Sequence, residues 1–156
     1  MSIRISALET ALVARLQEGG LDANGQKPER QISPGGMMPC RHCLADIAAG
    51  EPYLILALRP FPKAQPYAEQ GPIFLHAEPC RRHPDSGEMP AMFLERPGFL
   101  IRGYGPDDRI VYGTGRIVAP AAMTEAAQDM LEDPRVAYVH VRSATNNCYQ
   151  ARIDRA

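Results

Sequence analysis

Cys40-Arg-His-Cys43 places two thiols three residues apart. A turn brings such side chains to one side of the chain, so both sulfurs can converge on one centre. Two chemistries use that arrangement: half of a zinc site and a redox dithiol. His76-Ala-Glu-Pro-Cys80 then offers a nitrogen and a sulfur donor. Joined, the two motifs read C-x2-C-x32-H-x3-C, a set of three cysteines and one histidine. Structural zinc takes such a set, and a tetrahedral ion is indifferent to the length of chain between its two halves. Zinc knuckles commonly carry glycine just after the second cysteine, where this chain has Leu44. The bland reading makes His76 and Cys80 ordinary strand-end residues.

The redox reading puts Cys40 at the start of a helix, whose dipole lowers a thiol pKa, with His42 assisting. Against it, residues 30–39 (RQISPGGMMP) do not read as the strand of a thioredoxin-like unit.

A third group comes from strand alternation near the C-terminus. Over residues 136–142, Ala137, Val139 and Val141 form a small apolar face, leaving Tyr138, His140 and Arg142 on the other. Over residues 148–154, Cys148, Gln150 and Arg152 stand opposite Tyr149, Ala151 and Ile153. A hairpin through Ser143 to Asn147 would set Arg142 opposite Cys148 and His140 opposite Gln150. Tyr138, His140, Arg142, Cys148, Gln150 and Arg152 would then share one face. That face is either a site for an anionic ligand or a plain solvated surface. Cys148 beside His140 is also the candidate catalytic pair of a thiol enzyme.

Weaker candidates are Gly113-Thr-Gly115, which lacks the helix N-terminus of a phosphate loop, and Tyr67 and Glu69, which line a pocket or shield a sheet. His83 is a possible replacement for His76 as a ligand.

The elements that must position these residues are mostly short. Ser6 and Glu9 fit a capping box, and Leu8, Leu12, Val13 and Leu16 follow helical spacing, so a helix is expected over 6–18. Residues 19–39 read as loop and 40–49 as a short helical turn. Tyr53 to Arg59 and Pro72 to Ala77 read as strands around a proline-rich loop. Phe99 to Tyr104 and Arg109 to Val118 bracket Gly105-Pro-Asp-Asp108 as an antiparallel pair. Met123, Ala126, Ala127, Met130 and Leu131 mark a second helix that ends before Pro134. The expectation is one α+β domain over 1–156: a mainly antiparallel, loop-rich sheet with about two packed helices.

The 156-residue length suits one core, and 45% hydrophobic residues argue against wholesale disorder. A net charge of −1 with scattered arginines argues against nucleic-acid binding. The longest apolar run, Tyr53 to Leu58, is too short to span a bilayer, and MSIRISALET has no long apolar core of a secretory leader. A cytoplasmic location is expected, where four cysteines read as thiols or metal ligands rather than disulfides. Four buried structural cysteines are the alternative.

PCRHCL at 39–44, followed by Gly50-Glu51, PYAEQGPIFLHAEPC at 66–80 and YVHVRSATNNCYQARIDR at 138–155, resembles the bacterial family known as domain of unknown function 1203. The similarity runs from about residue 25 to the C-terminus in the same order. It implies a compact bacterial protein and brings no established activity, cofactor or catalytic residue. It picks out Cys40, His76, Cys80, His140 and Cys148. It is looser at Cys43, which favours a thiol-and-histidine pocket over a metal site.

The residues themselves point first to zinc on Cys40, Cys43, His76 and Cys80, in a structural or small-ligand-binding role. The competing class is a thiol-dependent enzyme or redox protein using Cys148 or Cys40 near histidine. A third is an interaction module without chemistry. Substrate, partner and oligomeric state are not written in this sequence.

Overall fold

A computed structural model describes residues 1–156. In chain order the elements are β1 (Ile3–Ser6), α1 (Thr10–Gln17), β2 (Glu29–Ile32), β3 (Pro52–Leu58), β4 (Gly71–His76), α2 (Ala91–Leu94), β5 (Phe99–Tyr104), β6 (Arg116–Val118), a 3₁₀ turn (Pro120–Ala122), α3 (Met123–Glu132), β7 (Tyr138–Ser143) and β8 (Tyr149–Arg155). They form two antiparallel sheets, ordered β1-β8-β7-β5-β6 and β2-β3-β4. The fold is α+β, as expected, with a third, four-residue helix in α2. No helix is long and apolar enough to cross a membrane.

Alternation dictates the larger core. Val139, Val141, Ala151 and Ile153 leave one face of β7 and β8, are fully buried, and meet Met123, Ala127, Met130 and Leu131 from the apolar stripe of α3. The second core joins β3 and β4 to Val13 and Leu16 of α1, and includes Cys40 and Ile47.

Several expectations are corrected. Ser6 caps no helix: it pairs with Arg152 in β1, because Ile3 and Ile5 alternate into the first core. The helix therefore starts at Thr10, and Glu9 holds the extended N-cap position. Residues 19–39 include β2, an edge strand exposed along its whole length, which offers no alternation to read. Residues 40–49 form a turn rather than a helical segment. Of Arg109 to Val118 only Arg116–Val118 is strand, and Ile110 makes a single bridge to Tyr104.

The C-terminal hairpin also departs from the expected register. A bulge between Val141 and Arg142 sets His140 opposite Arg152 and Arg142 opposite Tyr149. Cys148 stays in the turn and Gln150 takes no pairing partner. Tyr149 thereby joins the His140 face. This face is covered rather than solvated, since Tyr138, His140 and Arg142 are all buried. The His140 ring lies 4.7 Å from Tyr104, 4.9 Å from Tyr149, 5.1 Å from Tyr138 and 5.1 Å from Phe61 of the proline-rich loop. Burial first, then the guanidiniums of Arg142, Arg152 and Arg102, hold its pKa well below the usual histidine value.

The turn that follows Cys43 depends on Leu44, which has φ 52° and donates its N–H to Cys40 O at 3.0 Å. A left-handed leucine costs about 1–2 kcal/mol. Its side chain is 2% exposed in the first core, and burial worth roughly 1.5–3 kcal/mol offsets that strain. Cys40 and Ile47, in the same turn, reach the second core.

Two outcomes are expected. Leu44→Ala keeps the strained backbone and loses the packing, at a cost of about 2–5 kcal/mol. Leu44→Gly loses the same packing but relaxes the backbone, so urea denaturation should find it at least as stable as Leu44→Ala. An ordinary position would show Gly less stable by roughly 0.5–1 kcal/mol. Second, neutral His140 in the folded chain binds no proton near its ordinary pKa of 6.5, whereas the unfolded chain does. Below that pH the unfolded state holds the extra proton, so stability falls as pH drops, by up to about 1.4 kcal/mol per pH unit. His140→Leu should show a shallower loss between neutral and mildly acidic pH, and equal slopes would mean that His140 titrates normally.

Candidate metal centre

The turn after β2, the end of β4 and the loop that follows it converge on one point. Cys40 bridges Phe74 of β4, whose O accepts the Arg41 N–H at 3.2 Å, and His76 closes the same strand. The loop to Cys80 is held from α1: Gln17 Nε2 donates to His76 O and Glu78 O, each at 3.0 Å. Beyond Cys80, the Arg82 guanidinium donates to Leu8 O at 3.0 Å and Ala7 O at 2.8 Å.

One donor atom from each of Cys40, Cys43, His76 and Cys80 lies within 4.8 Å of all the others. Cys40 Sγ and Cys80 Sγ are 4.0 Å apart, and Cys43 Sγ is 3.5 Å from His76 Nδ1. A tetrahedral zinc with its usual bond lengths separates two sulfurs by about 3.8 Å, and a sulfur and a nitrogen by about 3.6 Å. The residues fit the ion. Cys43, loosely placed by the family resemblance, belongs to the set.

Supporting contacts orient the donors. His76 offers Nδ1 inward while its Nε2 stands 3.3 Å from Glu51 Oε2. A carboxylate behind a histidine fixes the tautomer and strengthens the ligand. His42 is 2% exposed and sits 3.1 Å from Cys80 Sγ through Nδ1, while Thr10 Oγ1 lies 2.9 Å from its Nε2. With Nδ1 donating to sulfur and Nε2 accepting from the hydroxyl, both ring nitrogens are satisfied. The His76 N–H also points to Cys40 Sγ at 3.4 Å.

The sulfurs are electrostatically coupled. The Cys43 and Cys80 thiols, directed at Cys40, hold its pKa far below the usual thiol range. That thiolate in turn pushes Cys43 up to about 11 and Cys80 well above its ordinary value. His76 is raised first by its contact with Cys40.

The other candidates fall elsewhere. Cys40 begins no helix, so the dipole of the redox reading is missing, and His83 lies outside the cluster, donating its N–H to His42 O at 2.9 Å. Cys148 Sγ has Asn146 O as its neighbour at 3.7 Å and makes no hydrogen bond with the caged His140. Tyr138 donates to Asp108 Oδ1 at 2.7 Å. Arg152 forks onto Asp154 and stacks 3.8 Å over the Tyr138 ring. Gln150 Nε2 reaches Cys148 O at 3.4 Å. Arg142 donates Nη1 to Asn147 O at 3.0 Å, while its Nε and Nη2 are buried without a partner. Burial pulls Arg41 down to about 10, opposed by the sulfurs of Cys148 and Cys40.

Sequence reasoning left three supporting groups unassigned: Glu51, Thr10 and His42 as a donor to Cys80. Glu51 follows Gly50, whose φ of 88° turns the chain into β3, and adjacency to a turn glycine says nothing of a histidine in a different strand.

No curated protein and no solved structure matches this chain. A family model does, over residues 37–155, a stretch that holds all of the cluster and the whole C-terminal hairpin. The chain belongs to that family, described as "Protein of unknown function (DUF1203)".

Proposed function

We propose that Cys40, Cys43, His76 and Cys80 bind one zinc ion in a closed, structural site. The observation that carries this reading is the agreement of the 4.0 Å sulfur–sulfur and 3.5 Å sulfur–nitrogen separations with a tetrahedral ion. Four protein donors fill the coordination sphere and leave no position for substrate, which favours a structural role over a catalytic one. The cation replaces protons that the crowded thiols otherwise need, so all three ionise together. Metal binding then contributes to folding directly. It ties the turn at Cys40 to the end of β4 and to the loop through Cys80, in a region with little regular structure. Free thiols committed to a metal suit a reducing compartment such as the cytoplasm.

Protein purified without chelator should carry about one zinc per chain by elemental analysis. Cys40, Cys43 and Cys80 should resist thiol reagents until chelator is added, and chelator should lower the thermal midpoint. Cys43→Ser should lose the metal. Glu51→Gln should retain it with about 10–100-fold weaker affinity in a competition titration. Metal-free protein with four equally reactive thiols would sink the zinc reading and leave a thiol enzyme or inert cysteines.

A further inference from the structure

A cavity of about 270 Å³ lies between β4, the lead into β5 and the turn of the C-terminal hairpin. Pro72, Ile73, Phe74, Pro97 and Phe99 give it apolar walls, and exposed Met37 lines it as well. Two polar side chains in the same lining are almost covered, Arg41 at 3% exposed and Gln150 at 5%. The Arg41 backbone is spent on Phe74 O and the Leu8 N–H. Its Nε donates to Tyr149 O at 2.7 Å and its Nη1 to Pro39 O at 2.6 Å, while Nη2 has no partner. The fully covered side-chain atoms left without a partner belong to His83, His140 and Arg142 alone. Nη2 of Arg41 is therefore an idle donor that keeps surface open to solvent. Gln150 is in the same position: Nε2 reaches Cys148 O at 3.4 Å, and Oε1 is unpartnered without being fully covered.

The charges in this lining are unbalanced. Arg96 is neutralised by a fork onto Asp46, at 2.6 and 3.1 Å. Arg41 donates only to carbonyls, and the groups that favour its charge are two thiols and a phenol rather than a carboxylate. Burial lowers it only to about 10, so it stays a cation at neutral pH. Buried charges in folded proteins are normally paired with an opposite charge.

We propose that this cavity binds a small monocarboxylic acid with an apolar body, its carboxylate on Arg41 and its hydrocarbon against the apolar walls. One unbalanced guanidinium calls for one negative charge, so a monoanion suits the site better than a phosphate dianion. A guanidinium N–H to a carboxylate is about twice as strong as a neutral hydrogen bond. Gln150 Oε1 accepts from a hydroxyl or amide on the acid. Apolar walls with a few convergent polar groups are the usual make-up of a ligand pocket, and the volume keeps the acid small. The inference does not rest on the zinc reading, since neither Arg41 nor Gln150 is among the four donors.

The test uses the full-length protein and hexanoate as probe, at constant ionic strength, with 1-hexanol and inorganic phosphate as comparisons. Cys148 lies in the same lining, so an occupant shields its thiol. Alkylation of Cys148 by iodoacetamide, located by mass spectrometry, should slow saturably, about fivefold when hexanoate reaches about four times its Kd. Hexanol and phosphate should both protect more weakly. Arg41→Met should abolish the advantage of hexanoate over hexanol. Because that variant is open to misfolding, Met37→Glu at an exposed position makes a second test: its carboxylate should weaken hexanoate more than hexanol. Absence of saturable protection, hexanol equal to hexanoate, stronger action by phosphate, or an undiminished preference for hexanoate in folded Arg41→Met or in Met37→Glu would each overturn the proposal.

Discussion

Crowding of like charge at the sulfur cluster is the constraint on which the rest of the N-terminal half depends. Three thiols and an imidazole meet within 4.8 Å, and anions that close cannot all ionise unless a cation joins them. The surroundings prepare for an ionised cluster nonetheless. His42 and the His76 N–H both approach sulfur as donors, and Glu51 backs the imidazole. Such contacts favour charged sulfur over neutral sulfur. A divalent ion bound there would resolve the repulsion, and the cluster's spacing could hold one.

The same point is where the two cores are tied. Cys40 and Ile47 belong to the core formed with β3, β4 and α1, whereas Leu44 belongs to the larger core that includes β1, β5, α3, β7 and β8. One short turn thus holds both hydrophobic clusters and two of the four donors. The left-handed Leu44 shows how tightly these demands combine. Glycine would suit the backbone there, but only a large apolar side chain fills the first core.

The C-terminal sheet carries a different kind of buried polarity. His140 is kept neutral by an aromatic cage, and Arg102, Arg142 and Arg152 surround it. Arg152 and Arg102 find carboxylates at close range, whereas Arg142 is left with two idle donors. An unpaired buried donor costs about 1–3 kcal/mol, so this arrangement persists against a penalty that the apolar packing around it must exceed.

Periodicity in the sequence determined α3, the strands β3, β4, β5, β7 and β8, and the apolar faces of the hairpin, because each follows from which side of a local element is apolar. The gathering of Cys40, Cys43, His76 and Cys80 was also legible, since paired cysteines and histidines have few other reasons to recur at such spacing. Tertiary structure decided what depends on partners distant in the chain. Ser6 entered a strand because β8 was there to pair with it, against a good local capping signal. The bulge at Val141 and Arg142 moved Tyr149 onto the His140 face and left Cys148 in the turn, turning an expected open polar surface into a covered one. Glu51, His42 and Thr10 became supports of the cluster only when the lead into β3, the turn at Cys40 and the start of α1 met. Local pattern carries the faces of elements; register, cover and second partners are set by packing among segments that share no pattern.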